Sequence, residues 1–405
     1  MTGQDMGTGR VGKSSAVILI QALNSISTVL QMAVFALTLP RADFDDYAVW
    51  VTSGMFVIGL GQAIGTERVV IGRRTLADGT HSAGVLAAMV LVVQLSVAVA
   101  LGSLPLVLAS LTLAPYVAYD FQRFTRCYHE GKLFLRADVL VLSVQTVSVL
   151  VLWAVLGREA WWMLVWWCIG VPVWAGLAGG LPRLRRGLRV LRDDARECTP
   201  LLLDALLAGV PLVVALALAQ AQGSVGDASA ARMAFTILGP VTVLGLSARR
   251  LVYQEVAKGP LSPRFAVVWG VICAVTFVVC AGLLALTRTP LYPWAFPGFV
   301  GLTWLAILGF ATNHTAMFST LLPAASLRAE GRAREIGIAR VVATLAALGA
   351  GLAVAPFDSP ADVAWCVAAG SIGYTLALAV ARALVPRPLQ PAAAETGTAT
   401  AGERP

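Results

Sequence analysis

The chain has 405 residues, of which 58% are hydrophobic and only 13% charged, with a formal net charge of +8 and a mean hydropathy of +0.78. Soluble globular chains run near 45–50% apolar and about 25% charged, so one soluble core cannot bury this much apolar surface and lipid must cover the outside. The basic residues sit in short connections between apolar stretches, which argues against nucleic acid as their partner.

Backbone groups find no partners in lipid, so the apolar stretches must be helices, each needing about 20 residues to cross. Twelve spans are predicted in chain order. The first six run over 15–39, 47–64, 83–101, 104–119, 137–156 and 160–179, and the second six over 201–219, 230–246, 265–286, 299–322, 338–355 and 363–384. The first is too long for the apolar core of a signal peptide, and no clear small-x-small cleavage site follows it.

Polar residues within and beside these spans are the candidates for function. In the first span Gln21, Asn24, Thr28 and Gln31 fall on one helical face. Their amides and hydroxyl suit a sugar-accepting cavity, or they serve as glue between helices. The first outer loop carries Asp43, Asp45 and Asp46, read as a hydrophilic turn rather than an acid–base pair. Arg68, Arg73 and Arg74 close the second span, and Arg249 and Arg250 close the eighth. Guanidinium forks match diphosphate oxygens bidentately; the plainer role is anchoring. Asp120 and Arg123 read as an i,i+3 pair. Asp204 lies early in the seventh span, where it either snorkels to the interface or couples transport to a proton or sodium ion. Asn313 and His314 in the tenth span are a polar lining or a packed pair. Pro115, Pro172, Pro211 and Pro240 are candidate kinks.

Between the sixth and seventh spans, 183–199 carries six arginines, at 183, 185, 186, 189, 192 and 196. Leu181, Leu184, Leu188 and Leu191 recur at helical spacing, which predicts a basic amphipathic helix on the inner leaflet, or simply a charged linker that fixes topology. It divides the chain into an N-terminal six-helix half (1–182), a basic linker (183–199), a C-terminal six-helix half (200–386) and a disordered Pro/Ala/Thr-rich tail (387–405). The termini and every second connection hold 26 basic residues, whereas the other connections hold only 4: Arg41, Arg158, Arg232 and Arg288. By the positive-inside rule both termini are expected in the cytoplasm. Trp161, Trp162, Tyr292 and Trp294 fit an outer interfacial belt. The halves echo each other: Glu130-Gly131-Lys132 follows the fourth span and Glu330-Gly331-Arg332 the tenth, while Trp50–Gly54 and Phe235–Gly239 sit near the second and eighth. Duplicated halves are common in secondary transporters, with the substrate path between them.

The stretch Asp43-Phe44-Asp45-Asp46-Tyr47-Ala48 through Gly59-Leu60-Gly61 resembles the start of bacterial polysaccharide flippases of the Wzx type. These belong to the multidrug/oligosaccharidyl-lipid/polysaccharide exporter superfamily, and their first hairpin commonly reads acidic-Phe-x-x-Tyr before a Gly-rich helix. Gly226-Asp227 through Leu238-Gly239-Pro240 is similar to the family's entry into its eighth helix, as is 123–136, with Gly131-Lys132 inside it, to a cytoplasmic connection. The resemblance implies an all-α polytopic membrane protein whose two six-helix halves surround a central cavity. It further implies translocation of a lipid-linked oligosaccharide by alternating access across the bacterial cytoplasmic membrane. Expected partners are that lipid-linked glycan, membrane lipids and enzymes of polysaccharide biosynthesis.

The six cysteines are scattered, with no CxxC pair and no Cys/His cluster, so neither a metal site nor a disulfide framework is expected. No nucleotide motif occurs and no cofactor is expected. The alternatives are an ion-coupled drug or metabolite exporter, for which Asp204 is the candidate acid, a membrane-embedded glycan polymerase or ligase, and a non-transporting scaffold. A polymerase needs a long catalytic outer loop, and these loops are a few residues long.

Overall fold

The structure is a computed structural model that describes chiefly residues 75–100, 183–193, 195–242, 262–296, 301–330 and 332–384, with isolated positions elsewhere such as Phe44, Asp45, Ala48, Val49 and Thr52. Among the described residues every regular element is helical. In chain order these are α1 (Leu76–Ala100), α2 (Leu184–Asp193), α3 (Ala195–Gln222), α4 (Asp227–Ile237), α5 (Pro263–Ala285), α6 (Leu291–Ala295), α7 (Trp304–Ala329), α8 (Ala333–Val354) and α9 (Pro360–Leu384), with a 3-10 turn at Leu286–Arg288.

Among the described residues, six helices are long and apolar enough to cross a membrane: Ala77–Ala100, Leu202–Gln222, Pro263–Arg288, Trp304–Leu327, Arg334–Val354 and Pro360–Leu384. They coincide with the expected third, seventh, ninth, tenth, eleventh and twelfth spans. The expected first, second, fourth, fifth and sixth spans lie outside the continuously described residues.

Local chemistry sets the helix ends. Ser262 caps α5 by accepting the Phe265 N–H on its hydroxyl, and Pro263 opens the helix, where its missing N–H costs nothing. α5 is apolar on nearly every side, and Val267, Val268, Val271, Val275, Val278 and Val279 all face outward. Such a surface is stable only against hydrocarbon.

α3, α5, α7, α8 and α9 form one bundle, in which α9 packs against α3, α7 and α8. Its core is small-residue rich: Ala215, Ala219, Ala306, Ala311, Ala347 and Ala364 are buried beside Leu216, Leu284, Phe310 and Phe357. Lipid gives helices no hydrophobic reason to associate, so side chains that allow close backbone approach drive the packing. The Cys366 thiol donates to the Ala347 carbonyl across the α8–α9 contact at 3.3 Å.

Within 183–199, Leu184–Asp193 is the helix α2 and Ala195 already opens α3, and the buried face of α2 is not the leucine face. Gly187 and Val190 of α2 are buried against α1, Leu191 is half-buried, and Leu184 and Leu188 stay exposed. Gly187 explains the difference. A Cβ there would collide with the His81 carbonyl oxygen and stand 2.7 Å from Val85 Cγ2, so only glycine allows this approach. Arg186 adds Nε and Nη2 donations to Asp78 Oδ1 at 3.2 and 2.9 Å, and the Arg183 N–H donates to His81 Nδ1 at 3.0 Å.

Candidate functional site

Three polar constellations stand out among the described residues. The first joins three spans. Arg340 of α8 donates from Nε to Asp204 Oδ1 of α3 at 2.8 Å, and the Tyr374 hydroxyl of α9 donates to the same oxygen at 3.3 Å. The Arg340 guanidinium lies 3.5 Å over the Tyr374 ring. One turn on, Thr344 donates to the Leu207 carbonyl at 3.2 Å, a second tie between α8 and α3. Removing charge from water is costly, and a guanidinium is the cation best suited to share a carboxylate and an aromatic face at once. Asp204, the candidate coupling acid, is thus half of an intramolecular ion pair. In the sequence Arg340 reads as one more basic anchor near a span end. Its position inside the expected span 338–355 is the signal that it belongs to the bundle.

The second lies between α7 and α9. Ser371 donates to Asn313 Oδ1 at 2.7 Å, Ser319 and Thr375 share a hydrogen bond at 3.1 Å, and Thr375 also donates to the Ser371 carbonyl. His314 is buried, with Nδ1 3.2 Å from the Phe310 carbonyl and its ring against Phe235. Asn313 and His314 are both enclosed and both bonded within the bundle.

The third crosses a long sequence distance. Asp45, in the stretch expected to form the first outer loop, is buried and accepts two backbone N–H bonds at the start of α4: Gly226 N to Oδ2 at 2.6 Å and Ser229 N to Oδ1 at 2.7 Å. A helix N-terminus leaves such N–H groups unpaired, and its dipole favours an anion. Gly226 has φ 106°, a left-handed conformation open to glycine, which turns its N–H toward the carboxylate. Close by, Asp227 accepts the Ser224 N–H at 2.7 Å, Asp362 accepts from Asp358 N, Ser359 N and the Ser359 hydroxyl, and Gln222 accepts the Phe357 N–H. Burial pushes the Asp227 carboxyl above the ordinary carboxylate value, the Ser224 N–H opposes this, and Asp45, Asp358 and Asp362 push it further up. Asp45 was read as part of a hydrophilic turn; the structure gives it two specific partners 181 and 184 residues away. Nothing in the local sequence names those partners.

The candidates Gln21, Asn24, Thr28, Gln31, Arg68, Arg249 and Arg250 lie outside the described residues.

No protein-family model matches the sequence, and no curated protein matches it. Solved structures do. The chain is similar to the lipid II flippase MurJ in its inward closed conformation, with TM-score 0.64 and 10% identity over 92% of this chain and 87% of that one. It is similar to an inward-facing multidrug resistance MATE family transporter of the MOP superfamily, with TM-score 0.57 and 12% identity over 91% of this chain and 96% of that one. It also resembles the bent form of the Vibrio cholerae MATE transporter VcmN, with TM-score 0.51 and 16% identity over 93% of this chain and 97% of that one. The fold is therefore one shared with these solved structures: an all-α, polytopic membrane architecture consistent with about 12 helices.

Proposed function

We propose that the chain translocates a lipid-linked oligosaccharide across the bacterial cytoplasmic membrane by alternating access, for surface polysaccharide synthesis. The likeness in fold to the lipid II flippase, spanning 92% of the chain, is the observation that carries this reading. In it, the halves 1–182 and 200–386 rock about a central cavity. Gln21, Asn24, Thr28, Gln31 and Asn313 line a polar path, while Arg68, Arg249 and Arg250 receive the diphosphate at the cytoplasmic mouth, with both termini on that side. An unpaired hydroxyl costs on the order of 2–7 kcal/mol in an apolar medium and an isolated charge far more, so a glycan headgroup needs such a path. The enzymes that build and consume the glycan are its functional partners, and translocation, not catalysis, is its activity.

The Asp45 clasp on α4 fits a state closed on the outer side, since it ties the outer end of one half to that of the other.

The likeness to MATE transporters supports a second reading, an ion-coupled drug or metabolite exporter with Asp204 as the coupling acid. The experiment that separates the two labels glycan headgroups on inverted and right-side-out vesicles from wild-type and deletion cells. The flippase reading expects headgroups trapped on the cytoplasmic leaflet of the deletion strain and less surface polysaccharide. Equal distribution, with altered drug sensitivity, selects the exporter.

A further inference from the structure

α2 carries two stripes that its docking leaves unused. Leu184 and Leu188 are 47% and 56% exposed, although α2 rests against a membrane span. Arg185, Arg189 and Arg192 are exposed as well, and they recur at i, i+4 and i+7 along one line of the helix. At 1.5 Å per residue that line is about 10 Å long. At 100° per residue the leucine stripe lies between the docked Gly187–Val190 face and the arginine stripe.

The level of the helix follows from what it touches. Gly187 approaches His81 and Val85, which stand four and eight residues into the apolar segment Ala77–Ala100. Leu86 of α1, Leu191 of α2 and Leu202 of α3 form one apolar cluster. Leu202 begins the next apolar segment, Leu202–Gln222. α2 is therefore held beside the first turns of two spans, at the depth where hydrocarbon gives way to headgroups. Asp78 engages Arg186 and leaves the outer three arginines to face something else.

We propose that α2 is a binding surface for anionic phospholipid: Leu184 and Leu188 enter the acyl boundary, while Arg185, Arg189 and Arg192 hold the headgroup phosphates. Charge complementarity selects this occupant. Three guanidinium groups stand above exposed leucines at bilayer depth, and anionic lipid is the abundant anion there. Gly187 and Arg186 fix the helix on α1, so the surface is rigid rather than a loose basic tether. This inference goes beyond transport and holds for either reading of the activity.

The test is native mass spectrometry of the delipidated full-length protein mixed with phosphatidylglycerol and phosphatidylcholine of identical chains. Wild type is expected to retain phosphatidylglycerol preferentially, and R185Q/R189Q/R192Q to lose about fivefold of that preference per arginine. R185K/R189K/R192K, which keeps the charge, should keep the preference. R264Q/R334Q/R382Q removes the same net charge elsewhere and should keep it too. The wild-type preference should also collapse in 0.5 M NaCl, a check that needs no variant. The inference is overturned if the linker Gln variant keeps its preference, if the control loses as much, or if wild-type retention ignores salt.

Discussion

The guanidinium of Arg340 lies 3.5 Å over the ring of Tyr374 while its Nε donates to Asp204 at 2.8 Å, so one side chain on α8 holds α3 and α9 together. Breaking one side of such a pair leaves the other charge without its partner. Asp204→Asn and Arg340→Gln are each expected to cost about 3–5 kcal/mol of stability. The double variant should be less destabilised than the sum of the two, and Arg340→Lys should fail to rescue because an ammonium cannot lay a planar face on the ring while an edge N–H donates to the carboxylate. Thermal unfolding in detergent checks this, and additive single effects would show the pair to be energetically uncoupled.

Asp45 protects the N–H groups of Gly226 and Ser229. Asp45→Ala should speed deuterium uptake in the peptide covering 224–237 while leaving α8 and α9 unchanged. Each lost charge-assisted bond is worth about 1.5–3 kcal/mol of local protection, at least tenfold in exchange rate. Unaltered uptake would mean that the clasp does not hold the helix start in solution.

The carboxyl of Asp227 titrates above its ordinary value because it is partly buried among other carboxylates. A carboxyl raised in the folded state contributes stability when protonated, and that contribution fades as pH rises through the folded value. Asp227→Asn keeps an acceptor for the Ser224 N–H and removes the charge. It should therefore melt higher than wild type at neutral pH, and the gap should close as pH falls toward the ordinary carboxylate range. A gap that widens on acidification would reverse the assignment.

Gly187→Leu has no room against His81 and Val85. The linker helix should lift from α1, and trypsin should cut faster at Arg185, Arg189 and Arg192. Asp78→Asn removes a partly exposed ion pair, worth about 0–1 kcal/mol, and should have a much smaller effect. Equal cleavage of Gly187→Leu and wild type would show that the glycine contact is dispensable.

On the flippase reading, Arg68→Gln and Arg249→Gln should lower translocation without lowering membrane insertion, and Lys should rescue only in part. Replacing Gln21, Asn24 and Gln31 together with Leu should stop headgroup translocation, since Leu suits lipid and leaves the helix intact. Vesicle labelling reads both, and normal transport in all variants would reduce these residues to anchors and packing.

The spans were legible because hydrocarbon thickness imposes one length on every segment: Leu202–Gln222 and Pro360–Leu384 fall within a few residues of expectation. In the linker, Leu184–Asp193 is helical, but the leucine spacing does not give the face it buries. Gly187 is invisible to a hydrophobic pattern and acts only through the backbone it lets in. Asp204 stood out as an acid in an apolar run. Arg340 did not, because basic residues near span ends have an ordinary explanation. Asp45 was least legible, since its partners are backbone N–H groups that no side-chain pattern announces.

The valines on the outside of α5 carry a consequence for how the chain is made. β-branched residues are poor helix formers in water and favour extended strands. Val267, Val268, Val271, Val275, Val278 and Val279 form a helix here with hydrocarbon as their solvent. Released into an aqueous compartment, the same segment has the composition of an aggregating strand, low in charge and rich in β-branched side chains. For this segment the bilayer is the folding solvent, and any time spent in water before insertion is time exposed to aggregation.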